Sequence, residues 1–244
     1  MVSPAVRADL APTGKIRAGI NYGNAVLATR NESTGELRGV AVDLARELGR
    51  RSELAVELVA FPSAGQMVAA LKNGAWDMAF LAAEPGRAGE VGFTAPHLII
   101  EGTYLLPPGS SIRGIEEVDR VGVRIGVATG SAYDLYLSRN IKNAQFIRAA
   151  DTDSTFQLIL DGKVDVVAGV RQALVANATK LSGARVLDER FMVIEQAAGM
   201  PKGREEGLRY LRDFIEEMKA CGFVAQALKK SGVLDVAVAP PAKG

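Results

Sequence analysis

The hydrophobic and polar positions along the chain follow two alternating periods. Short β-rich runs of buried character are separated by stretches in which apolar residues recur every three or four positions, as Val40, Leu44 and Leu48 do before Gly49. The predicted strands in the first part are 15–20, 56–61 and 76–81, and the predicted helices are 40–49 and 63–71. Strands that alternate with short helices are typical of an α/β fold with a parallel sheet.

The same order recurs in the second part of the chain. Its predicted strands are 124–128, 146–148, 164–168 and 192–198, and its predicted helices start after Ser131, at 153 and at 171. The helix-to-strand spacing Leu71, Gly74, Asp77 recurs as Ile159, Gly162, Asp165. A glycine there supplies a left-handed helix end. The repeat predicts two similar α/β lobes, and the amphipathic helices 204–221 and 223–230, which do not continue the second lobe's pattern, are expected to pack on the first.

Composition excludes several classes of function. The chain has 29 Lys+Arg against 28 Asp+Glu, so it has no broad basic surface and we expect no nucleic-acid partner. One cysteine and one histidine cannot build a disulfide or the usual zinc clusters, and no phosphate loop or dinucleotide fingerprint occurs. We therefore expect no metal and no cofactor. His97, in an apolar segment, is expected to be partly buried or at the surface without a catalytic role, and Cys221 to be a small core or boundary residue.

One candidate anion site lies where a predicted strand runs through Thr129 and Gly130 into a helix. The free amides of a helix's first turn attract anions, and Gly130, Ala132 and the Ser131 hydroxyl would add donors. The alternative is an ordinary helix cap, since Asp134 follows Ser131 at capping-box spacing.

A second candidate is Arg87, just after the predicted strand 76–81. Ligands of open α/β sheets bind beyond the carboxyl ends of strands, and arginine can hold a carboxylate through two parallel hydrogen bonds. The alternative is a surface ion pair with Glu84 or Glu90. The two candidates together predict one anion-binding site in each lobe.

An ordered set of motifs resembles the extracellular solute-binding proteins of family 3, the receptors of polar amino-acid ABC importers. The segments that carry the resemblance are Gly39–Ala45, Ala70–Asp77, Arg87 with Phe93–Pro96, Ile125–Ser131, Gly162–Asp165 and Met218–Phe223. They extend over nearly the whole chain.

The resemblance implies a type II periplasmic-binding-protein fold with a two-strand hinge. One lobe would be 1–100 plus 199–244 and the other 101–198, with a small carboxylate bound in the cleft between them. In such receptors the arginine matched by Arg87 grips the α-carboxylate, and the turn matched by Gly130 and Ser131 donates to it. The expected partner is an ABC permease in the inner membrane. We further expect a monomer in the periplasm, with a signal peptide removed ahead of this sequence, and no enzymatic activity.

Several positions depart from the family pattern. Val170, followed by Arg171, stands where the amino-acid receptors carry an ammonium-binding aspartate. Asn24 and Ala64 stand where they carry aromatic residues, and the strand end at 81–83 lacks the usual hydroxyl donors. Since a buried ammonium without partners costs several kcal/mol, we expect an organic acid or modified amino acid without a free α-amine. The pocket-lining candidates from this comparison are Asn24, Leu81, Ala82, Glu84, Val170 and Arg171.

Two other functions share this fold. Cyclohexadienyl dehydratases resemble these receptors, and Glu84 would be the candidate general acid for such an elimination. A ligand-sensing domain of a regulator is the third alternative.

Overall fold

The computed structural model describes residues 2–242, and the chain divides into two compact units. Unit 1 contains the chain up to Ile99 and from Glu195 onward, and unit 2 is Ile100–Ile194. The boundaries expected from the sequence, after residues 100 and 198, lie within four residues of these divisions.

Unit 1 begins with a short helix and then alternates strands and helices. Its first segment contains α1 (Pro4–Leu10), β1 (Ile16–Asn21), β2 (Thr29–Arg30), β3 (Leu37–Arg38), α2 (Val40–Ser52), β4 (Val56–Phe61), α3 (Ala64–Ala70) and β5 (Met78–Ala82). Short 3₁₀ turns follow α3 and β5, at Leu71–Asn73 and Pro85–Arg87. The long strand β6 (Val91–Leu106) then carries the chain into unit 2.

Unit 2 repeats the alternation and returns the chain to unit 1. Its elements are a 3₁₀ turn (Ile115–Glu117), β7 (Arg124–Ala128), α4 (Ala132–Asn140), β8 (Gln145–Ala149), α5 (Thr152–Leu160), β9 (Val166–Val170), α6 (Arg171–Ala178) and β10 (Arg185–Val186). The strand β11 (Met192–Pro201) leads back to unit 1, which ends with α7 (Glu205–Ala220), α8 (Phe223–Lys230) and β12 (Ala237–Val238). Helices α7 and α8 contact α1 and α2, respectively.

The two units have sheets of the same design. In unit 1 the strand order is β4-β1-β5-β11, with β1 parallel to β4 and β5 and with β11 antiparallel to β5. In unit 2 the order is β8-β7-β9-β6, with β7 parallel to β8 and β9 and with β6 antiparallel to β9. The predicted mixed α/β class is confirmed, and each unit has three parallel strands whose carboxyl ends share one edge.

The repeated glycine–aspartate spacing has a physical basis in unit 1. Asp77, fully buried, accepts the backbone amide of Arg17 at 3.1 Å and its guanidinium at 2.9 and 2.8 Å. The amide of Asp77 returns a bond to the Arg17 carbonyl, and Gly74 adopts a φ of +61° that lets the chain turn into β5. Arg204, next to α7, adds a further bond to the same carboxylate at 3.0 Å. The aspartate therefore fixes the start of β1 to the start of β5.

Unit 2 contains the same clamp in an exposed setting. Asp165 accepts the amide of Arg124 at 2.8 Å and its guanidinium at 3.0 and 2.8 Å, while Gly162 has a φ of +66°. The Asp165 side chain is 37% exposed, whereas that of Asp77 is 0% exposed. The hydrogen bonds from Arg124 hold the pKa of Asp165 below its usual value. Burial raises the pKa of Asp77, but the bonds from Arg17 and Arg204 outweigh it and the net shift is downward.

Each unit has its own apolar cluster beside these clamps. The unit 1 cluster contains Met67, Trp76, Ala79, Leu81 and Val91, and that of unit 2 contains Leu105, Phe156, Ile159, Val164, Val167 and Leu174. The Trp76 indole donates to the Met67 carbonyl at 2.8 Å, so its polar atom is satisfied inside the core.

The sequence predicts most elements to within two or three residues but misses α1, the long strand β6 and the two-residue strands β2, β3, β10 and β12. The bounds of β4, β7 and α8 agree with the predicted ranges. Helix α1 was not predicted, although Ser3 caps it and Pro4 occupies its first turn. Strand β6 was not predicted either, because Pro96 and His97 interrupt its apolar pattern.

We predict that Asp77→Asn destabilises the protein by about 3 kcal/mol, because it removes a fully buried carboxylate that holds two half-buried arginines, Arg17 and Arg204. Asp165→Asn is the matched control: the same clamp is exposed there, and the expected loss is below about 1 kcal/mol. Urea denaturation followed by circular dichroism measures both. Because folding lowers the pKa of Asp77, its contribution to stability depends on pH. The stabilisation is fully present above about pH 4 and is lost in more acid solution, where the carboxylate becomes protonated. Equal losses in the two variants would contradict the role of burial.

Candidate functional site

Within each unit, most of the residues that the sequence singles out lie near the carboxyl ends of the parallel strands. In unit 1, β1, β4 and β5 end at Asn21, Phe61 and Ala82. In unit 2, β7, β8 and β9 end at Ala128, Ala149 and Val170. Loops at such edges are the ordinary place for a ligand in open α/β sheets.

Arg87 lies in a tight turn immediately after β5. Glu84 caps a 3₁₀ turn over Pro85–Arg87, its Oε2 accepting the Gly86 amide at 2.6 Å, and Pro85 occupies the first position, where no amide is needed. The Arg87 guanidinium folds back, and its Nη1 donates to the Ala82 carbonyl at 3.0 Å. The turn therefore holds the guanidinium against the end of the strand.

Arg87 is a buried cation. Its exposure is 3%, so it does not lie at the surface as the ion-pair alternative expected, although Glu84, itself buried, exerts its negative charge on it. Burial lowers the pKa of Arg87 to about 10, while the negative charge of Glu84 acts in the opposite direction. The guanidinium therefore stays protonated at neutral pH in a poorly solvated position, where an anion is stabilising.

The Gly130–Ser131 turn is a helix cap, which confirms the alternative reading of this motif. The Ser131 hydroxyl accepts the Asp134 amide at 3.0 Å, at the start of α4. The Gly130 amide donates to the Asp134 carboxylate at 2.9 Å, so an internal anion already takes that donor. Thr129 turns away: its amide and hydroxyl both donate to the Ala149 carbonyl at 2.8 Å.

The first amide of α4 is the donor that this capping leaves open. Within residues 2–242, no acceptor is recorded for the Ala132 N–H. Next to it, burial raises the pKa of Tyr133, and the hydroxyls of Ser131 and Thr152 act in the opposite direction. The Ala132 amide and the Ser131 hydroxyl therefore remain the candidate donors of this turn.

Arg148 was missed by the sequence analysis. From β8, its Nε donates to Asp134 at 3.0 Å, and its Nη2 donates to the Ser138 hydroxyl at 2.7 Å. Asp134 is 4% exposed, so Arg148 neutralises a buried carboxylate and thereby orients the turn at Gly130. An arginine next to the carboxyl end of a predicted strand is the sequence feature that could have indicated this role.

Arg171 is a structural tie. Its Nε donates to Glu101 at 2.8 Å, its Nη1 to the Leu187 carbonyl at 3.0 Å and its Nη2 to the Asp188 carbonyl at 2.8 Å. Glu101 also compensates for a positive charge at the first residue of α6, which the helix dipole disfavours. Val170, buried at the end of β9, pairs with Gly102 and presents no charge.

The lining candidates in unit 1 divide into core and loop residues. Leu81 is 1% exposed and belongs to the apolar cluster with Trp76, and its place in a pocket wall stays a prediction. Ala82 contributes its carbonyl to Arg87. Asn24 closes a turn, its Oδ1 accepting the Val26 amide at 3.2 Å.

An aromatic residue, Tyr22, directly follows β1 and is not among the residues that the sequence singles out. Tyr22 is half-buried, two residues before Asn24, and the Arg30 guanidinium lies 5.5 Å from the centre of its ring. An aromatic residue directly after a strand was the signal for it.

Two other expectations are wrong. His97 is fully buried, not partly buried or at the surface, and Cys221 is exposed at the end of α7, not in the core. Across the described residues, no group of three or more His, Cys, Asp or Glu side chains is arranged to hold a metal ion. Nor does any helix within residues 2–242 have the length and apolarity that crossing a bilayer requires.

Comparison with known proteins identifies the family. Residues 16–232 match the bacterial extracellular solute-binding proteins, family 3, and the chain belongs to that family. The L-cystine-binding protein TcyJ of Escherichia coli K12 is 27% identical over 201 residues, which cover 80% of this chain and 74% of that protein. The histidine-binding periplasmic protein of the same strain is 25% identical over 246 residues, covering 96% and 94%.

Solved structures show the same fold. The solute receptor for L-cysteine of Neisseria gonorrhoeae aligns with a TM-score of 0.81 at 20% identity, covering 94% of this chain and 93% of that one. The ancestral amino acid-binding protein AncCDT-1, a precursor of cyclohexadienyl dehydratase, aligns with a TM-score of 0.77 at 19% identity, covering 94% and 99%. The fold is that of the type II periplasmic binding proteins.

We predict that Arg171→Ala lowers the stability of the protein by about 2–3 kcal/mol, because charge-assisted hydrogen bonds to Glu101 and to two carbonyls are lost together. Arg190→Ala is the matched control, since Arg190 bonds the same Glu101 but is 56% exposed, and its expected loss is below about 1 kcal/mol. Thermal unfolding measures both. An Arg171→Ala variant as stable as Arg190→Ala would contradict the structural role.

Proposed function

We propose that this chain is the substrate-binding receptor of an ABC importer that captures a small carboxylate outside the cytoplasmic membrane. Membership of the family supports a receptor role, and the curated relatives are named as cystine- and histidine-binding proteins. The observation that carries the ligand class is the buried, protonated guanidinium of Arg87 beyond the carboxyl end of β5.

The chemistry at the strand ends favours an anion. A buried guanidinium loses much of its hydration, and a carboxylate can replace it through two parallel hydrogen bonds. The Ala132 amide and the Ser131 hydroxyl, at the start of α4, supply further donors of the kind that bind carboxylates. In this proposal Arg87 holds the ligand carboxylate, the turn at Ser131 is a second candidate donor site, and binding selects a form that the permease recognises.

The same strand ends offer little to an ammonium group. Val170 is apolar, and Asp134 is engaged by Gly130 and Arg148. Asp151 accepts the Ser154 amide at 2.8 Å as the cap of α5. Glu84 is engaged by the Gly86 amide and faces the charge of Arg87. We therefore propose a ligand without a free α-amine, such as an organic acid or an N-modified amino acid.

A panel of named compounds tests the ligand class directly. Thermal stabilisation is measured with L-cystine, L-histidine, their N-acetyl derivatives, pyruvate, lactate, succinate and 2-oxoglutarate, since a ligand that binds the folded state raises the melting temperature. Stabilisation by compounds without an α-amine, with no turnover, supports the proposal. If only the free amino acids stabilise the protein, the proposal that the ligand lacks a free α-amine is wrong. If no carboxylate in the panel stabilises it, the receptor assignment is contradicted.

We predict that Arg87→Ala weakens binding of the best carboxylate by about a hundredfold or more, because a buried charged partner is removed. Arg87→Met is tested beside it, since it keeps most of the side-chain volume, and Arg209→Ala, at an exposed ion pair on α7, is the control with unchanged affinity. Isothermal titration calorimetry measures affinity, and circular dichroism confirms that each variant is folded. If the folded Arg87→Met variant binds the ligand with unchanged affinity, Arg87 does not contact the ligand.

We further predict that Ser131→Asp and Ser131→Asn separate the cap from the ligand contact. Both side chains cap a helix as well as serine does, so the start of α4 should be kept in both. Only the aspartate adds a negative charge, which should repel a bound carboxylate and weaken binding at least tenfold relative to the asparagine variant. Equal affinity in the two variants would show that the ligand carboxylate does not approach this turn.

A further inference from the structure

The C-terminal segment of the chain, residues 233–242, lies outside the stretch that matches the family and returns to β6. Strand β12 pairs antiparallel with β6, Ala237 opposite Ile99 and Val238 opposite Leu98. The pairing extends by one bond, from the Ala239 amide to the His97 carbonyl at 3.1 Å. All of these residues belong to unit 1.

Two side chains of α7 hold the end of this segment. Lys219 Nζ donates to the Pro240 carbonyl at 2.9 Å and to the Pro96 carbonyl at 3.2 Å, so one ammonium joins the segment to β6. Glu216 Oε2 accepts the Ala242 amide at 3.1 Å. The Lys219 side chain is only 4% exposed.

His97 is enclosed where the segment meets β6. Its exposure is 0%, and its ring packs edge-on against Phe80 of β5 with the ring centres 5.5 Å apart. Among the described residues, neither ring nitrogen makes a hydrogen bond of ordinary geometry, and the backbone of Gln196 is the polar group near the ring. A neutral imidazole tolerates such a place, whereas an imidazolium would need solvent or an anion.

The groups that face this ring offer no anion. From α7 it faces the positive charge of Lys219, from β11 the backbone carbonyl of Gln196, and from β5 the apolar Phe80. Residues 236–241 carry no ionisable side chain, and Glu216 pairs with Lys219 at 2.6 Å. Burial first, and then the charge of Lys219, lowers the pKa of His97 to about 3, with the Gln196 carbonyl acting in the opposite direction.

We propose that residues 237–242 form an acid-labile latch, which pairs with β6 beside the neutral ring of His97 and must open before that ring can take up a proton.

Proton linkage gives the latch its pH dependence. In the open form the solvated ring has the ordinary histidine pKa of about 6.5, whereas in the closed form its pKa is about 3. Between these values the open form binds more protons, so the closing equilibrium constant falls about tenfold for each pH unit below about 6.5. The closing equilibrium constant is independent of pH above about 6.5 and falls as the solution becomes more acid.

Amide hydrogen exchange of the full chain tests the latch. The protection factor of the Ala239 amide, corrected for the intrinsic rate, should fall about tenfold between pH 6 and pH 5. The Gly19 amide, in the central strand β1, should fall much less over the same interval. A pH-independent Ala239 protection factor contradicts the proposal, and a parallel fall at Gly19 shows global unfolding instead of a latch.

Two variants assign the effect to His97 and the segment. His97→Phe keeps an aromatic ring that cannot titrate, so the protection factor of Ala239 should become independent of pH between 6 and 5. Ala239→Pro removes the amide that bonds the His97 carbonyl, and the pKa of the ring should then rise toward about 6.5. Since His97 is the only histidine, a single imidazole signal in the NMR spectrum reports this pKa. An unchanged slope in His97→Phe, or a ring that still titrates below pH 4 in Ala239→Pro, would overturn the latch.

Discussion

The clamp between an arginine at the start of a strand and an aspartate at the start of its parallel neighbour organises both units. Arg17 and Asp77 set the register of β1 against β5, and Arg124 and Asp165 do the same for β7 against β9. Parallel strands have no tight turn to fix their register, so side chains must supply that constraint. Once the strands are aligned at their beginnings, their carboxyl ends form a common edge, and the candidate ligand contacts lie at these edges.

At these edges most charged side chains form hydrogen bonds within the fold, and Arg87 is distinguished by its burial. Arg171 donates hydrogen bonds to Glu101 and to backbone carbonyls. Asp134 accepts hydrogen bonds from the Gly130 amide and from Arg148. Arg87 differs because it is a buried cation held in a short turn beyond a strand. Desolvation makes such a cation costly on its own and strongly attractive to an anion, which is why the proposed ligand is defined by its carboxylate.

Much of the fold could be predicted from the sequence because periodicity and helix-ending glycines are local signals. The exact bounds of β4, β7 and α8 and the capping role of Ser131 came from such signals. Burial of single polar residues could not be predicted, because it depends on long-range packing: His97 is fully buried, with Phe80 and Lys219 beside its ring. Likewise, the packing of Leu81 in the apolar cluster and the ion pair of Arg171 with Glu101 depend on residues far along the chain and could not be predicted from position alone.

The central claim is that one buried guanidinium recognises one carboxylate. Its most direct test is a calorimetric comparison of the tightest-binding acid from the panel with its own primary amide, which has nearly the same shape but no charge. The account predicts that the acid binds about a hundredfold or more tightly than the amide to the native protein, and that this difference largely disappears in Arg87→Met. An amide that binds as tightly as the acid, or a difference that survives in Arg87→Met, would contradict it.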